Sequence, residues 1–173
     1  MIFTGFKRKS NQIFLGKKWS QLLEKTAIEK AANIKKVFVI LDDVTLKDAM
    51  LKEIANTLVV DQKNVECIVF QQKINKENTD EDLISPKDFG WYGKIKSEHL
   101  KKRLTKKYDL LINYSKVDDL YSNLLLLHCN TSFNVGFKHL DGRFYDLVID
   151  CKSHDFKSFN SELGKYLKIL KKI

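Results

Sequence analysis

The chain has 173 residues, of which 43% are hydrophobic and 31% charged, with a formal net charge of +9. This length and composition exclude global disorder and suffice for one domain with a buried core. The apolar runs are too short to span a bilayer and the N-terminus has no signal-peptide core, so a cytoplasmic location without a transmembrane segment is expected.

In chain order, residues 1–18 set Phe3, Phe6, Ile13 and Phe14 among basic side chains, as in a basic amphipathic arm or an ordinary N-terminal helix. From Trp19 the helical spacing is regular, with Trp19, Leu22, Leu23, Ala27 and Ala31 on one face. Residues 1–34 are therefore read as a basic helical arm and 35–173 as a single Rossmann-like domain. The run 35–41 (KKVFVIL) is short, apolar and β-branched, as a strand covered on both faces requires. Asp42 and Asp43 end it. Thr45 and Asp48 resemble a capping box for a helix that buries Leu46, Ala49, Met50, Ile54 and Leu58. Residues 65–70 (VECIVF) give a second strand. The polar stretch 71–87, with Asn75, Asn78, Thr79, Asp80 and Pro86, is expected to be a surface loop. It leads into 88–95 (DFGWYGKI) and a helix over 97–107, with Leu100 and Leu104 inward and its basic residues mostly outward.

A strand over 108–114, a helix from about Asp118 and a strand over 132–136 make a β-α-β unit, the building block of a parallel sheet. Residues 124–127 are leucines all round, so that helix is expected to be covered on most sides. Asp141 and Gly142 signal a turn, which leaves the strand over 145–151 open to a parallel or an antiparallel pairing. A last helix, 155–170, carries a stripe of Phe156, Phe159, Leu163, Leu167 and Leu170. The expected fold is α/β: a three-layer Rossmann-like sandwich whose mostly parallel sheet has about five strands, with an N-terminal helical arm. Cys67, Cys129 and Cys151 are odd in number and far apart, and read as reduced thiols.

Ligands of an open parallel sheet bind beyond the carboxyl ends of its strands. The first strand-to-helix turn here (LDDVT) has no glycine, and its carboxylates repel a pyrophosphate, so a dinucleotide fingerprint is absent. The segment from Gly90 to Lys94 does not match a phosphate-binding loop. Asp42 and Asp43 read as a strand end rather than a magnesium site. The four histidines lack zinc-ligand spacing, and no nucleophile elbow surrounds Ser115. No catalytic residue, metal or cofactor is assigned. Trp91 and Tyr92, set between Gly90 and Gly93, form either a lid or stacking platform over the strand ends or a plug at the sheet edge. The candidate pocket thus comprises Asp42, Trp91, Tyr92, Asn113, Tyr114, Ser115 and Gly136.

The charge is unevenly spread. Residues 1–36 carry nine basic and two acidic side chains, 94–107 seven and one, and 152–173 six and two, with acidic segments between. Such asymmetry favours an acidic partner: RNA, DNA or an anionic membrane. The candidate anion-binding residues are Lys7, Arg8, Lys9, Lys17, Lys18, Lys94, Lys101, Lys102, Arg103, Lys106 and Lys107. Basic residues beside aromatics suit single-stranded nucleic acid, while a solvated helix face explains the lysines as well.

The segments 89–96 (FGWYGKIK), 108–112 (YDLLI) and 133–137 (FNVGF) resemble an uncharacterised family of small bacterial proteins, a domain of unknown function. Residues 108–137 are also similar to the N-terminal half of heptosyltransferase-like glycosyltransferases, in which a DLVID strand, a helix and an RIGF strand recur in that order. This second resemblance implies a half-glycosyltransferase fold. Those enzymes hold the nucleotide-sugar mainly in a second domain, for which this length leaves no room. Their glycine-containing first loop is Asp42-Asp43-Val44 here, so no catalytic residue carries over. The leading expectation is a non-enzymatic protein that binds RNA or a ribonucleoprotein. The alternatives are a small ligand-binding protein or enzyme using the strand ends, and a peripheral membrane-surface protein attached through residues 1–18.

Overall fold

The computed structural model describes residues 2–25, 33–75 and 80–173, apart from the side chains of residues 2, 3 and 19–25. The expected contacts of Phe3, Trp19, Leu22, Leu23, Ala27 and Ala31, and Asn78 and Thr79 of the expected loop, lie outside that description. In chain order the elements are α1 (Ile2–Lys25), β1 (Val37–Leu41), α2 (Lys47–Leu58), β2 (Val65–Phe70), β3 (Leu83–Ile84), α3 (Glu98–Leu104), β4 (Lys107–Tyr108), β5 (Leu110–Asn113), α4 (Leu120–His128), β6 (Asn130–Thr131), β7 (Asn134–Phe137), β8 (Leu147–Ile149) and α5 (Phe156–Ile169). Six strands form one sheet in the order β3-β2-β1-β5-β7-β8, with every neighbouring pair parallel. The chain winds outward from β1 in one direction and from β5 in the other, as in a doubly wound, Rossmann-like sheet. The α/β class and parallel sheet expected from the sequence are those observed.

A parallel sheet is stable only when both faces are covered. On one face Val37, Val39, Leu41, Val69, Ile112 and Phe137 pack against Met50, Ile54 and Leu58 of α2 and Phe159, Leu163 and Leu167 of α5. On the other, Phe38, Ile40, Ile68, Phe70 and Leu111 pack against Leu100 and Leu104 of α3 and Leu120, Leu124 and Leu125 of α4. Helix α4 is buried on almost every side, as its leucines require. Phe14 and Leu15 of α1 pack onto the same core, with Ser10 and Asn11 buried.

Several local expectations need correction. The stretch expected to be loop contains β3, which pairs Leu83 with Val69 and Ile84 with Phe70; two residues are too few to show a period. The strand expected over 108–114 is split at Asp109. Its Oδ2 accepts the Lys35 and Lys36 amides at 2.9 and 2.8 Å, β4 pairs aside with β6, and β5 enters the sheet. The Thr45–Asp48 capping box does not form. Asp43 Oδ1 accepts Thr45 N at 3.0 Å and Thr45 Oγ1 at 2.7 Å, which tightens 44–46 into a 3-10 turn and delays α2 to Lys47, leaving Ala49 exposed. Helix α3 ends at Leu104 because Lys107 is already in β4. The last strand is parallel to β7, and Asp141 caps a 3-10 turn through Arg143 N at 3.2 Å instead of closing a hairpin. Leu170 lies just past α5 and is 48% exposed. The three cysteines are unpaired.

Gly136 sits beneath the Tyr145 ring, and a Cβ there would meet ring carbons at 2.7 to 2.9 Å. Gly136→Ala should therefore lower stability by about 1–3 kcal/mol, read from urea unfolding midpoints. The loss should shrink in a Tyr145→Leu background. An unchanged midpoint would show that Tyr145 moves aside freely.

Candidate functional site

Asn113, Tyr114 and Gly136, three of the expected pocket residues, face protein rather than open space. Asn113 Nδ2 donates to the Tyr145 hydroxyl at 2.8 Å, and Asn113 Oδ1 accepts Ser115 N at 3.0 Å. Tyr114 is fully buried on the α5 side, where its hydroxyl donates to Asn160 Oδ1 and Asn160 Nδ2 donates to Glu53 at 2.8 Å. Burial pushes the Tyr114 hydroxyl well above its ordinary pKa, so it stays a neutral donor. Burial also raises Tyr145, against the opposing bond from Asn113.

Asp42 and Ser115 do border open space. A cleft of about 490 Å³ lies beyond the carboxyl ends of β1, β2 and β5, lined also by Phe70, Gln71, Gln72, Lys116, Val117, Asp119 and Ser122. Asp42 Oδ2 accepts Lys116 N at 2.8 Å, and Lys116 Nζ lies 3.9 Å from Asp42 and 3.5 Å from Asp43. The hydrogen bond from Thr45 holds the Asp43 carboxyl below the usual carboxylate range. Among the described residues no group of three His, Cys, Asp or Glu side chains is placed to hold a metal ion. Gln71 and Gln72 are expected at a strand end from the sequence, whereas Lys116, Asp119 and Ser122 are not singled out there. The available signal was the Asp119 helix cap shortly after the strand that ends at Asn113.

Trp91 and Tyr92 lie elsewhere, against α1. Tyr92 and Gly93 both adopt left-handed backbone, with φ of +53° and +71°. Tyr92 N donates to Ser10 Oγ at 3.2 Å, and Gly93 N donates to Asn11 Oδ1 at 2.7 Å. His128 Nε2, at the end of α4, donates to Gly93 O at 2.7 Å. The Phe14 ring packs so closely that a Cβ on Gly93 would approach it to 2.3 Å. Lys7 Nζ closes the brace by donating to the Pro86 and Phe89 carbonyls at 2.9 and 3.1 Å. The two aromatic side chains are left outward, Trp91 44% and Tyr92 65% exposed. Ser10 and Asn11, which hold this loop, are polar residues on the helix's inward face between Lys7 and Phe14. That interruption of the apolar stripe was their signal.

The structure divides the candidate anion-binding residues. Lys7 is tied to carbonyls, and its pKa is lowered by burial and then by the nearby charge of Lys96. The Arg8 guanidinium lies 6.0 Å from the Tyr121 ring centre. Lys101 pairs with Glu98, and Lys106 with Glu66 at 2.8 Å. Arg103 pairs with Asp82 and donates to the Cys67 carbonyl. Lys9, Lys94, Lys102 and Lys107 are exposed and make no ion pair among the described residues, and Lys17 and Lys18 are exposed on α1.

Asp82 is 14% exposed and is shared by Arg103 and Lys47, which also binds Asp80 at 2.8 Å. Arg103→Ala should cost about 1–3 kcal/mol in chemical denaturation, since the Cys67 carbonyl and Asp82 both lose a donor. Lys102→Ala should stay within about 0.5 kcal/mol of the parent. Equal midpoints would move Arg103 from the structural to the surface group. The hydrogen bond from Lys47 lowers the Asp80 pKa. Its stabilisation is therefore present above the unfolded carboxylate pKa of about 3.9 and is lost as the pH falls through the lower folded value. Asp80→Asn should flatten the acid limb of stability against pH, and an unaltered limb would remove Asp80 from that role.

No curated protein and no solved structure matches the chain, and the glycosyltransferase likeness of residues 108–137 has no counterpart there. The model of a family of unknown function matches residues 7–170, most of the chain. The chain belongs to that family, DUF6913.

Proposed function

We propose that this protein is a non-enzymatic binder of single-stranded RNA, alone or within a ribonucleoprotein, through the face where α1 meets the 90–96 loop and α3. The observation that carries this reading is the braced left-handed turn that keeps Trp91 and Tyr92 outward. Non-glycine residues in that conformation cost of order 1–3 kcal/mol and persist only where the surroundings impose them. Here the surroundings impose the exposure of two aromatic rings, which gains nothing for folding.

The charge around the rings supports the same partner. The stems of Lys94 and Lys96 lie against Gly90, each 3.5 Å from the position of a Cβ built there. Exposed Lys9 on α1 and Lys102 and Lys107 at and beyond α3 extend the basic surface. Aromatic faces that accept any base, set among cations that follow a phosphate backbone, are the recurring means of binding single strands without sequence preference. Such binding requires no reactive group.

A labelled 20-nucleotide oligouridylate, titrated at several salt concentrations and followed by fluorescence anisotropy, tests this reading. Affinity should fall linearly in log-log form with salt, with a slope of about −0.7 per phosphate contact. The triple change Lys94→Ala, Lys96→Ala and Lys102→Ala should flatten the slope by about 2. Trp91→Ala or Tyr92→Ala should each cost about 1–3 kcal/mol with the slope unchanged. Absence of binding at low salt, or indifference to both aromatic changes, would overturn it. Binding to anionic vesicles without binding to RNA would transfer the face to a membrane surface.

A further inference from the structure

The cleft beyond β1, β2 and β5 is independent of the basic face and has a chemistry of its own. It opens between β1 and β5, where the strand order reverses, the position at which doubly wound sheets take their ligands. Its volume of about 490 Å³ lies within the range of small-molecule sites and exceeds that of a nucleoside-sized guest.

Its walls differ in character. Phe70 supplies an apolar surface, and Val117 stands beside it, an apolar side chain left 70% exposed. Ser115 and Ser122 are buried, with residue exposures of 3% and 2%, and their hydroxyls lie 3.5 Å apart. That contact is at the outer limit of a hydrogen bond, so each hydroxyl keeps capacity to donate to or accept from a guest.

The rim decides the charge of the guest. Of the lining residues Asp42 and Asp119 carry carboxylates and Lys116 the one ammonium, which is turned toward Asp42 and the adjoining Asp43 at 3.9 and 3.5 Å. Asp119 accepts Tyr121 N and Gln72 Nε2, both at 2.8 Å, which occupies the start of α4 with a carboxylate where an anion would otherwise sit. The field at the mouth is negative. A phosphate is repelled, and hydroxyl or amine donors are attracted.

We infer that this cleft binds a phosphate-free, hydroxyl-bearing ring compound of nucleoside size, neutral or cationic. The ring lies between Phe70 and Val117, its hydroxyls reach the aspartates, and the paired serines bind its inner edge.

Saturation-transfer NMR on the full chain with adenosine, guanosine, cytidine and uridine, each beside its 5′-monophosphate, tests the inference. At least one nucleoside should give a saturable signal, and its monophosphate should bind at least about tenfold more weakly, a difference of 1.4 kcal/mol or more. Ser122→Leu, which fills the cleft from α4, should abolish the signal. Val117→Ser, a change at an exposed position that leaves the core alone, should weaken it several-fold and decides the matter if the first variant does not fold. Absence of signal from all four nucleosides, equal affinity for a monophosphate, or an unchanged signal in Val117→Ser would overturn the inference. Binding that survives both cleft changes but disappears when Trp91 and Tyr92 are changed to alanine would overturn it too, and would assign the nucleosides to the aromatic loop.

Discussion

The covering of the second face of the sheet is the constraint from which the rest of the molecule follows. A six-stranded, all-parallel sheet has two apolar faces, and each must be kept from water. On one side α2 and α5 suffice. On the other, α4 carries leucines around most of its circumference, so covering the sheet with α4 creates a new apolar surface on the outside. Helix α1 covers it through Phe14 and Leu15. Once α1 is there, its remaining inward positions, Lys7, Ser10 and Asn11, meet the 86–93 segment and form the brace of the aromatic turn. The outward aromatic pair is thus a consequence of how the leucine helix is buried.

The same packing decides what each basic residue can do. Arg103 is drawn to Asp82 at the sheet edge, where Lys47 reaches in from the helix on the opposite face. Lys47 works against burial, and its bonds to Asp80 and Asp82 prevail and hold its proton more firmly than usual. This cluster joins the two helical layers around the β2–β3 edge. Lys106 similarly binds Glu66, whose carboxylate also accepts from the Tyr108 hydroxyl. The 31 basic residues therefore overstate the cation available to a partner. Exposed cations are spread along the chain, Lys35, Lys52, Lys157 and Lys168 among them, and the Lys7 contacts with Pro86 and Phe89 bring α1 up to the loop that precedes Lys94.

Long-period features were legible in the sequence and short ones were not. The runs VFVIL and VECIVF, the leucine helix and the Phe159–Leu163–Leu167 stripe each span enough residues for burial to impose a pattern, and each is where the pattern places it. Strand β3 has two residues, and what holds it is the partner strand, which the local sequence does not contain. The break at Asp109 depends on amides seventy-odd positions away, so a continuous YDLLI reading was the natural one. At the strand ends, Tyr145 over Gly136 is a fit between side chains from two different segments. The sequence could mark Asn113 and Gly136 as strand-end residues, but not that a tyrosine fills the space. The aromatic turn was legible as unusual, from two glycines around two aromatics, though its placement against α1 was not.

The two open regions of the molecule carry opposite signs, and this follows from the chain's order. Asp42 and Asp43 follow β1 and Asp119 caps α4, so carboxylates outnumber the Lys116 ammonium around the crevice between β1 and β5. Exposed lysines of α1, the 90–96 loop and α3 lie on segments that cover the second face of the sheet, while α2 and α5 carry others on the first. On the proposed readings, a polyphosphate would meet stacking surfaces and cations along the basic face and carboxylates at the crevice. A small uncharged molecule has the reverse preference: it gains nothing from the lysines and finds donors, acceptors and an apolar wall in the crevice. Salt separates the two, because screening weakens contacts to a phosphate chain steeply and hardly alters the binding of a neutral guest. Under the two proposed readings the surfaces do not compete for the same chemistry, and occupation of one leaves the other open.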